Sequence, residues 1–144
     1  IKITNMNRVI IHTDGGSRGN PGHAGIGIVI EIKDENNKII KKIVYKKYIG
    51  ITTNNIAEYT AILWALAYCK EKKLDNLECY LDSELVVKQL NGEYKIKDQE
   101  LGKIFIKIYN LRQNFNSCKF FHIKRELNKE ADLLVNAALN EAGY

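Results

Sequence analysis

The chain carries four carboxylates that stand where an apolar strand or helix meets a loop: Asp14, Glu58, Asp82 and Asp132. The strands that lead into the first and third of them are among its most hydrophobic segments. Four ionised acids converging on one point would repel each other by several kcal/mol at an effective dielectric constant of about 20. A pair of divalent cations would make such a site tolerable, and the chemistry that this predicts is metal-assisted phosphoryl transfer.

Each acid also has a purely structural explanation when it is considered alone. Asp14 precedes two glycines and could be a turn residue. Asp82 could belong to a helix N-cap. Glu58 and Asp132 could simply be acids in the first turn of a helix, where negative charge suits the helix dipole.

Helical periodicity favours convergence over these separate explanations. Glu58 shares its helical face with Ile62 and Ala65, and Asp132 shares one with Val135. A carboxylate on a core-facing stripe costs several kcal/mol unless something pairs with it, and neither stripe carries a lysine or arginine. The two strand acids would leave the sheet at the same edge if their strands are parallel neighbours. We therefore expect all four acids at one edge of a sheet.

The elements that must position these acids follow the order βββαβα(α)βα. An antiparallel meander comes first, and strands that alternate with helices come after it, which predicts an α/β fold with a five-stranded mixed sheet flanked by helices. The sequence predicts a single domain over residues 1–144. The expected strands are residues 9–14, 25–32, 39–48, 77–81 and 119–124. The expected helices are residues 56–72, 83–90, 99–112 and, capped by Asn128, about 129–142.

Composition sets wide limits on function. The net charge of +5 is compatible with a polyanionic partner without demanding one. The chain has three cysteines, an odd number, and they lie far apart in apolar contexts. We therefore expect reduced core residues instead of disulfides or a zinc site. No stretch approaches the roughly 20 apolar residues of a membrane span. We expect a cytoplasmic monomer with no membrane partner.

Four motifs resemble the signatures of type 1 ribonuclease H. Residues 11–22, IHTDGGSRGNPG, resemble the first signature, and residues 52–58, TTNNIAE, resemble the second. Asp82 and Ser83 after an apolar strand are similar to the third, and residues 128–132, NKEAD, to the fourth. The resemblance covers about residues 9–139 in the element order of the family, and it implies the ribonuclease H-like fold.

The resemblance implies endonucleolytic hydrolysis of the RNA strand of an RNA–DNA hybrid, leaving 5′-phosphate and 3′-hydroxyl ends. The acids would hold two Mg²⁺ ions, with Mn²⁺ as a substitute, and hard oxygen ligands argue against zinc. Asp14 would bridge the ions, with Glu58 and Asp82 on one side and Asp132 on the other. Glu58 would also contact a 2′-hydroxyl group, which distinguishes RNA from DNA.

The same resemblance assigns contacts with the hybrid to polar residues around the acids. Asn20, Asn54 and Asn55 would lie in the minor groove, where amides can donate and accept hydrogen bonds without demanding a base sequence. Thr53, with Asn20 and Lys33, would hold a phosphate of the DNA strand. Plain capping of the following helix is the alternative for the two adjacent asparagines.

Two glycines directly follow the first acid. Within the resemblance, Gly15 and Gly16 allow the backbone of the RNA strand to approach closely. The alternative is that they only form a turn that ends the first strand.

The chain departs from many family members in the loop before its last helix. That loop is short and lacks the histidine that others carry there. Arg125 occupies the nearest position, where a cation could steady the phosphate or the leaving group without accepting a proton. We expect activity to remain, with water carrying the proton.

A second departure is the lack of a basic protrusion. Only residues 92–98 join the two middle helices, and Lys95 and Lys97 would be a substitute grip on phosphate, against the alternative of a solvated loop. Fewer phosphate contacts predict weaker binding and a shallower salt dependence. Some short relatives also accept double-stranded RNA, so we keep it as a possible second substrate.

Two other functions compete with hybrid cleavage. A nuclease of the same fold could have another substrate, as DEDD exonucleases and resolvases do, but the Thr53–Asn55 cluster and the loop of residues 19–22 argue against it. A hybrid-binding module without catalysis is the other alternative, and the presence of all four acids argues against it.

Overall fold

Five strands form a mixed sheet that is flanked by helices on both faces. The structure, a computed structural model, describes residues 3–144, so the first two positions of the predicted domain lie outside the described residues. The strands are β1 (Arg8–Gly19), β2 (Gly22–Lys33), β3 (Ile39–Thr52), β4 (Asn76–Leu81) and β5 (Ser117–His122). The helices are α1 (Asn54–Glu71), α2 (Glu84–Leu90), α3 (Gln99–Arg112) and α4 (Lys129–Glu141), and a short 3₁₀ turn covers Arg125–Leu127.

The order of strands across the sheet is β3-β2-β1-β4-β5. The first three strands pair antiparallel because tight turns connect them, whereas β4 pairs parallel with both β1 and β5 because helical crossovers precede β4 and β5. The predicted fold class and element order are confirmed.

The first strand is longer than predicted, and this changes the setting of Asp14. β1 runs through both glycines to Gly19, with β2 as its antiparallel partner, so the alternative that the glycines form a turn is wrong. The parallel ladder between β1 and β4, however, stops at the pair His12 and Tyr80. Asp14 therefore lies inside β1 but just beyond the end of β4, where β1 has no hydrogen-bonded neighbouring strand on that side within residues 3–144.

The core lies between the sheet and α1, with α3 packed against the outer side of α1. β-branched side chains such as Ile11, Ile26 and Ile30 alternate toward it from neighbouring strands, and each such burial stabilises the fold by about 1.5–3 kcal/mol. α4 covers the opposite face over β2, β3 and part of β1. The site is built where both helical layers meet β1.

The cysteines belong to this core. Cys69 and Cys79 are buried, Cys118 is partly buried, and all three are free thiols, as predicted. Burial raises the pKa of Cys69 to about 12. Within residues 3–144, none of the helices is both long and apolar enough to cross a membrane.

Candidate active site

Two glycines let the helices bring their acids to Asp14. A Cβ atom on Gly15 would stand 2.3 Å from the backbone carbonyl of Ala57, so α1 crosses β1 at a distance that only glycine permits. Glu58 is the next residue of α1, in its second turn and not in the first as predicted. The tight helix contact therefore places the Glu58 carboxylate beside Asp14.

The same device operates on the other face of the sheet. Gly27 is the partner of Asp14 in the β1–β2 ladder, and a Cβ atom on it would stand 2.3 Å from the carbonyl oxygen of Ala131 in α4. Asp132 follows directly in the first turn of α4, as predicted. Both helical acids thus come after an alanine that packs on a glycine.

The four predicted carboxylates line one cavity. One oxygen atom each from Asp14, Glu58 and Asp82 lies within 4.8 Å of the other two. Asp132 borders the same cavity and is one of the neighbouring carboxylates that raise the pKa of Asp14. The cavity is open, holds about 480 Å³, and is also bordered by Asn54, Asn55 and Arg125 of the predicted residues. The expected convergence of the acids is observed.

The cluster is electrostatically strained without a cation. Burial, followed by repulsion from the three neighbouring carboxylates, raises the pKa of Asp14 to about 8. Burial and then repulsion from Asp82 raise the pKa of Glu58 to about 7, although a hydrogen bond from Ser83 opposes this rise. Such values mean that the site favours protons, or another positive species, among its oxygens.

The donor set fits hard divalent cations. Carboxylate oxygens within reach of each other, partly dehydrated and mutually repulsive, are the ligands that Mg²⁺ and Mn²⁺ accept, and no nitrogen or sulfur ligand takes part in the cluster found within residues 3–144. The residues at the site therefore fit the Mg²⁺ or Mn²⁺ ions that the sequence predicts.

Asn128 holds the strand acids in place, which the sequence did not reveal. It was predicted to cap α4, but its side chain makes no cap hydrogen bond. Its amide Nδ2 instead donates to the backbone oxygen of Thr13 at 3.0 Å and to Oδ2 of Asp82 at 3.3 Å. The residue is 1% exposed. This buried amide joins β1, the end of β4 and the start of α4 around the acids.

The predicted polar contact residues surround the mouth of the cavity. The backbone N–H of Asn54 donates to Oδ1 of Asn20 at 2.9 Å, and that of Ser17 donates to Oδ1 of Asn54 at 3.2 Å. Thr53 is the N-cap of α1, since its hydroxyl accepts from the backbone N–H of Ile56. Asn55 borders the cavity without a cap role. The cap is therefore Thr53, so the alternative that the two adjacent asparagines only cap the helix is wrong. The side chains of Asn20 and Asn54 instead join the β1–β2 turn to α1.

The glycines have different roles. The Cβ side of Gly15 is filled by Ala57, so packing requires a glycine here. Gly15 also borders the cavity, and its contact with the RNA strand stays a prediction. A Cβ atom on Gly16 would meet only atoms at 3.6 and 3.7 Å, which is ordinary contact, and Gly16 borders the cavity. Gly16 therefore leaves room at the cavity for the predicted approach of the RNA strand, which stays a prediction.

Lys33 lies far from the phosphate site proposed for it. It pairs with Arg8 at one end of β2, whereas the other end of β2, at Gly22, pairs with Thr52 next to Thr53. Gly22 and Lys33 are eleven residue steps apart along β2, which corresponds to about 35 Å between their Cα atoms. The prediction that Lys33 shares a phosphate with Thr53 is wrong, because a strand this long carries the lysine to the opposite edge of the sheet.

The other predicted cations are exposed. Arg125 stands in the 3₁₀ turn at the cavity, with one guanidinium nitrogen 3.7 Å from Oδ1 of Asp132. Lys95 and Lys97 lie in the short connection between α2 and α3 and do not border the cavity. Their roles stay predictions.

Comparison with known proteins gives the same family. Residues 12–138 match the family model described as reverse transcriptase-like. The structure superposes on the crystal structure of RNase H1 from Halobacterium salinarum with a TM-score of 0.83 and 36% identity, covering 93% of this chain and 98% of that one. For LC11-RNase H1 in complex with an RNA/DNA hybrid, the TM-score is 0.82 with 44% identity, over 93% and 98% of the two chains.

A bifunctional protein of Mycobacterium tuberculosis is 35% identical over 135 residues, which are 94% of this chain and 36% of that protein. The chain thus spans about a third of the length of this curated relative. The signatures, the fold and the acid site agree with these matches along nearly the whole chain. The chain therefore belongs to the type 1 ribonuclease H family.

Proposed function

We propose that this chain is a metal-dependent endonuclease that hydrolyses the RNA strand of RNA–DNA hybrids. The observation that carries the proposal is the meeting of Asp14, Glu58 and Asp82 oxygen atoms within 4.8 Å, in an open cavity bordered by amide side chains. Relatives named ribonuclease H and a neighbour solved with a hybrid support the choice of substrate.

The acids would hold two Mg²⁺ ions, or Mn²⁺ in their place. Asp14 would serve both ions, Glu58 and Asp82 one, and Asp132 the other. When bound, the ions supply an activated water and stabilise the leaving 3′-oxygen, which gives 5′-phosphate and 3′-hydroxyl ends. The protein's own part is to keep the carboxylates converged, and Asn128 does this for Asp82.

Arg125 takes part through its charge. Its guanidinium approaches Asp132 from the solvent side, so its positive charge can steady a phosphate or a leaving oxygen, and a guanidinium offers no acceptor for a proton. Proton transfer is left to water at this open cavity. Arg125 therefore contributes to the rate without being essential.

The mouth of the cavity suits the minor groove of a hybrid. The side-chain oxygens of Asn20 and Asn54 are occupied by backbone N–H groups, which leaves the Nδ2 groups as donors for base and sugar acceptors. Asn55 and Glu58 border the cavity and would contact the RNA strand there, Glu58 at a 2′-hydroxyl. Thr53 would add a DNA phosphate contact, and Lys95 and Lys97 a weaker, salt-sensitive grip. One chain supplies all four carboxylates, so the site needs no residue from a second copy, and we propose that a monomer is active.

The test is cleavage of an end-labelled hybrid with Mg²⁺, with Mn²⁺ and with a chelator, beside double-stranded RNA and all-DNA duplexes. Internal cuts in the RNA strand of the hybrid alone, ending in 3′-hydroxyl groups, are the expected result. Stepwise trimming from an end would favour an exonuclease, and binding without cuts would favour a non-catalytic module.

The matched variant is Asp14→Asn, which removes one metal-facing charge at nearly constant volume. We expect it to abolish cleavage while hybrid binding survives. Retained turnover in this variant would contradict the metal assignment.

A further inference from the structure

We propose that Arg18 binds a phosphate of the RNA strand about two nucleotides away from the cleaved bond. This inference rests on the proposed function and adds a positioning residue for the substrate. Arg18 lies in the first signature motif, but neither the four acids nor the capping pattern gives it a task.

Arg18 lies on the same side of β1 as Asp14. Side chains two apart on a strand point to the same face, so Asp14, Gly16 and Arg18 form one row. The row spans about 13 Å at the usual rise of a strand, which is about two steps of a sugar–phosphate chain. Asp14 and Arg18 both border the acid cavity. A strand whose scissile phosphate meets Asp14 can thus continue along β1 to Arg18.

The floor between the acid and the arginine is open. Gly16 presents no side chain there, and even an added Cβ atom would only touch Asn54 and Val135 at ordinary distances. Those two residues, one from α1 and one from α4, line the same cavity as Asp14 and Arg18. The cavity therefore extends from the acid to the arginine, and a bound strand can follow the row.

The guanidinium of Arg18 is held in a fixed orientation. One terminal nitrogen donates to Oδ1 of Asn140 at 2.9 Å and to the backbone oxygen of Tyr144, and the other donates to Oδ1 of Asn136 at 3.2 Å. These bonds use three of the five N–H donors of the group. Two donors remain for a ligand, and the hydrogen bonds to α4 orient the side chain before the ligand arrives.

The charge of Arg18 is not cancelled by an acidic side chain. Within residues 3–144, no Asp or Glu forms an ion pair with it. Two lysines that also lie against α4 are neutralised, Lys42 by Glu130 and Lys46 by Glu141. The side-chain acceptors, Asn136 and Asn140, are neutral amides that orient the guanidinium without cancelling its positive charge. A phosphate is the anion that the neighbouring site would place there.

The alternative is that Arg18 only ties the β1–β2 hairpin to α4. A merely structural arginine would affect every substrate equally, whereas a phosphate contact depends on one charged group of the substrate. The two roles are therefore separable by removing single phosphate charges.

The experiment uses a hybrid whose labelled strand contains four ribonucleotides within DNA, so that cleavage occurs at a defined bond. A series of such hybrids carries one neutral methylphosphonate at successive positions of either strand. kcat/KM is measured for the wild type, Arg18→Ala, Arg18→Gln and, as a matched control, Lys46→Ala. Thermal unfolding of each variant checks that it is folded.

We expect Arg18→Ala and Arg18→Gln to lower kcat/KM about tenfold on the all-phosphate hybrid, with Lys46→Ala close to the wild type. A methylphosphonate one to three nucleotides from the cut in the RNA-containing strand should lower kcat/KM of the wild type about tenfold. The same substitution in the hybrid should leave kcat/KM of the Arg18 variants almost unchanged.

The inference is overturned if the variants match the wild type on the all-phosphate hybrid. It is equally overturned if every methylphosphonate affects variants and wild type alike, or if the loss of sensitivity falls on the DNA strand. Absence of cleavage by the wild type would instead refute the proposed function, so the two failures are distinguishable.

Discussion

Removal of the Asp14 charge should make the metal-free protein more stable. Burial, followed by repulsion from three other carboxylates, raises the pKa of Asp14 from its ordinary value of 3.8 to about 8. One pKa unit corresponds to about 1.4 kcal/mol, so keeping Asp14 ionised in the folded state costs up to about 5 kcal/mol at pH 8. Water that enters the open cavity relieves part of this cost. We expect Asp14→Asn to raise the free energy of unfolding by about 2–3 kcal/mol, or the Tm by roughly 5–10 °C.

The effect should depend on pH with a definite sign. Asp14 and Glu58 have folded pKa values of about 8 and about 7, above their values in an unfolded chain. Between about pH 4 and 8 the folded protein therefore binds more protons than the unfolded one. The stability of the metal-free wild type should fall as pH rises through this window. The fall should be shallower in Asp14→Asn, and the difference between the proteins should shrink towards pH 4.

The assay is chemical or thermal unfolding in chelator at pH 5, 6, 7 and 8, repeated with Mg²⁺. Metal ions bind the ionised acids, so Mg²⁺ should stabilise the wild type more at pH 8 than at pH 6 and should do little for Asp14→Asn. Glu130→Gln, at an exposed acid paired with Lys42, is the control and should change stability by less than about 0.5 kcal/mol. Equal stability of wild type and Asp14→Asn at pH 8 in chelator would refute the inferred repulsion.

Four further substitutions test how the site is held and how it works. Gly15→Ala should lower the free energy of unfolding by about 3 kcal/mol or more and lower activity, because its Cβ atom would collide with α1. Gly16→Ala should change the free energy of unfolding by no more than about 1 kcal/mol. A similar loss of stability in both variants would contradict the close packing at Gly15. Asn128→Ala should lower the free energy of unfolding, measured in urea, by about 1–3 kcal/mol. It should also raise the Mg²⁺ concentration needed for half-maximal cleavage. An unchanged Mg²⁺ requirement would mean that Asp82 does not need the hydrogen bond from Asn128. Arg125→Ala should slow cleavage at saturating hybrid without abolishing it, and an unchanged rate would make Arg125 a surface bystander.

The local pattern of the chain was sufficient for its elements and for its four acids. Helix α3 begins and ends where the apolar spacing predicts, because its caps and its buried stripe are both written in neighbouring residues. The acids stand out because a carboxylate on an otherwise apolar face requires a partner. That reasoning needs only residue types and the periods of helix and strand.

Other features depend on residues that are distant in sequence. β1 continues through Gly15 and Gly16 because β2 supplies hydrogen-bond partners, which no local turn signal reveals. The distance of Lys33 from Thr53 comes from the length of the paired strands, about which residue type carries no information. The orientation of Arg18 comes from partners in α4 that lie more than a hundred positions away in the sequence.

The sequence by itself thus determined the chemistry of this protein, since the acids, the amides and the apolar periods are all local facts. The tertiary structure alone decided the distances, since these come from contacts between elements. Gly15 of β1 against Ala57 and Gly27 of β2 against Ala131 bring two helices to opposite faces of the sheet, and Asn128 links the end of β4 to them. A carboxylate becomes a ligand only when such contacts hold it within a few ångströms of its companions, because electrostatic energy depends on separation and on exclusion of water.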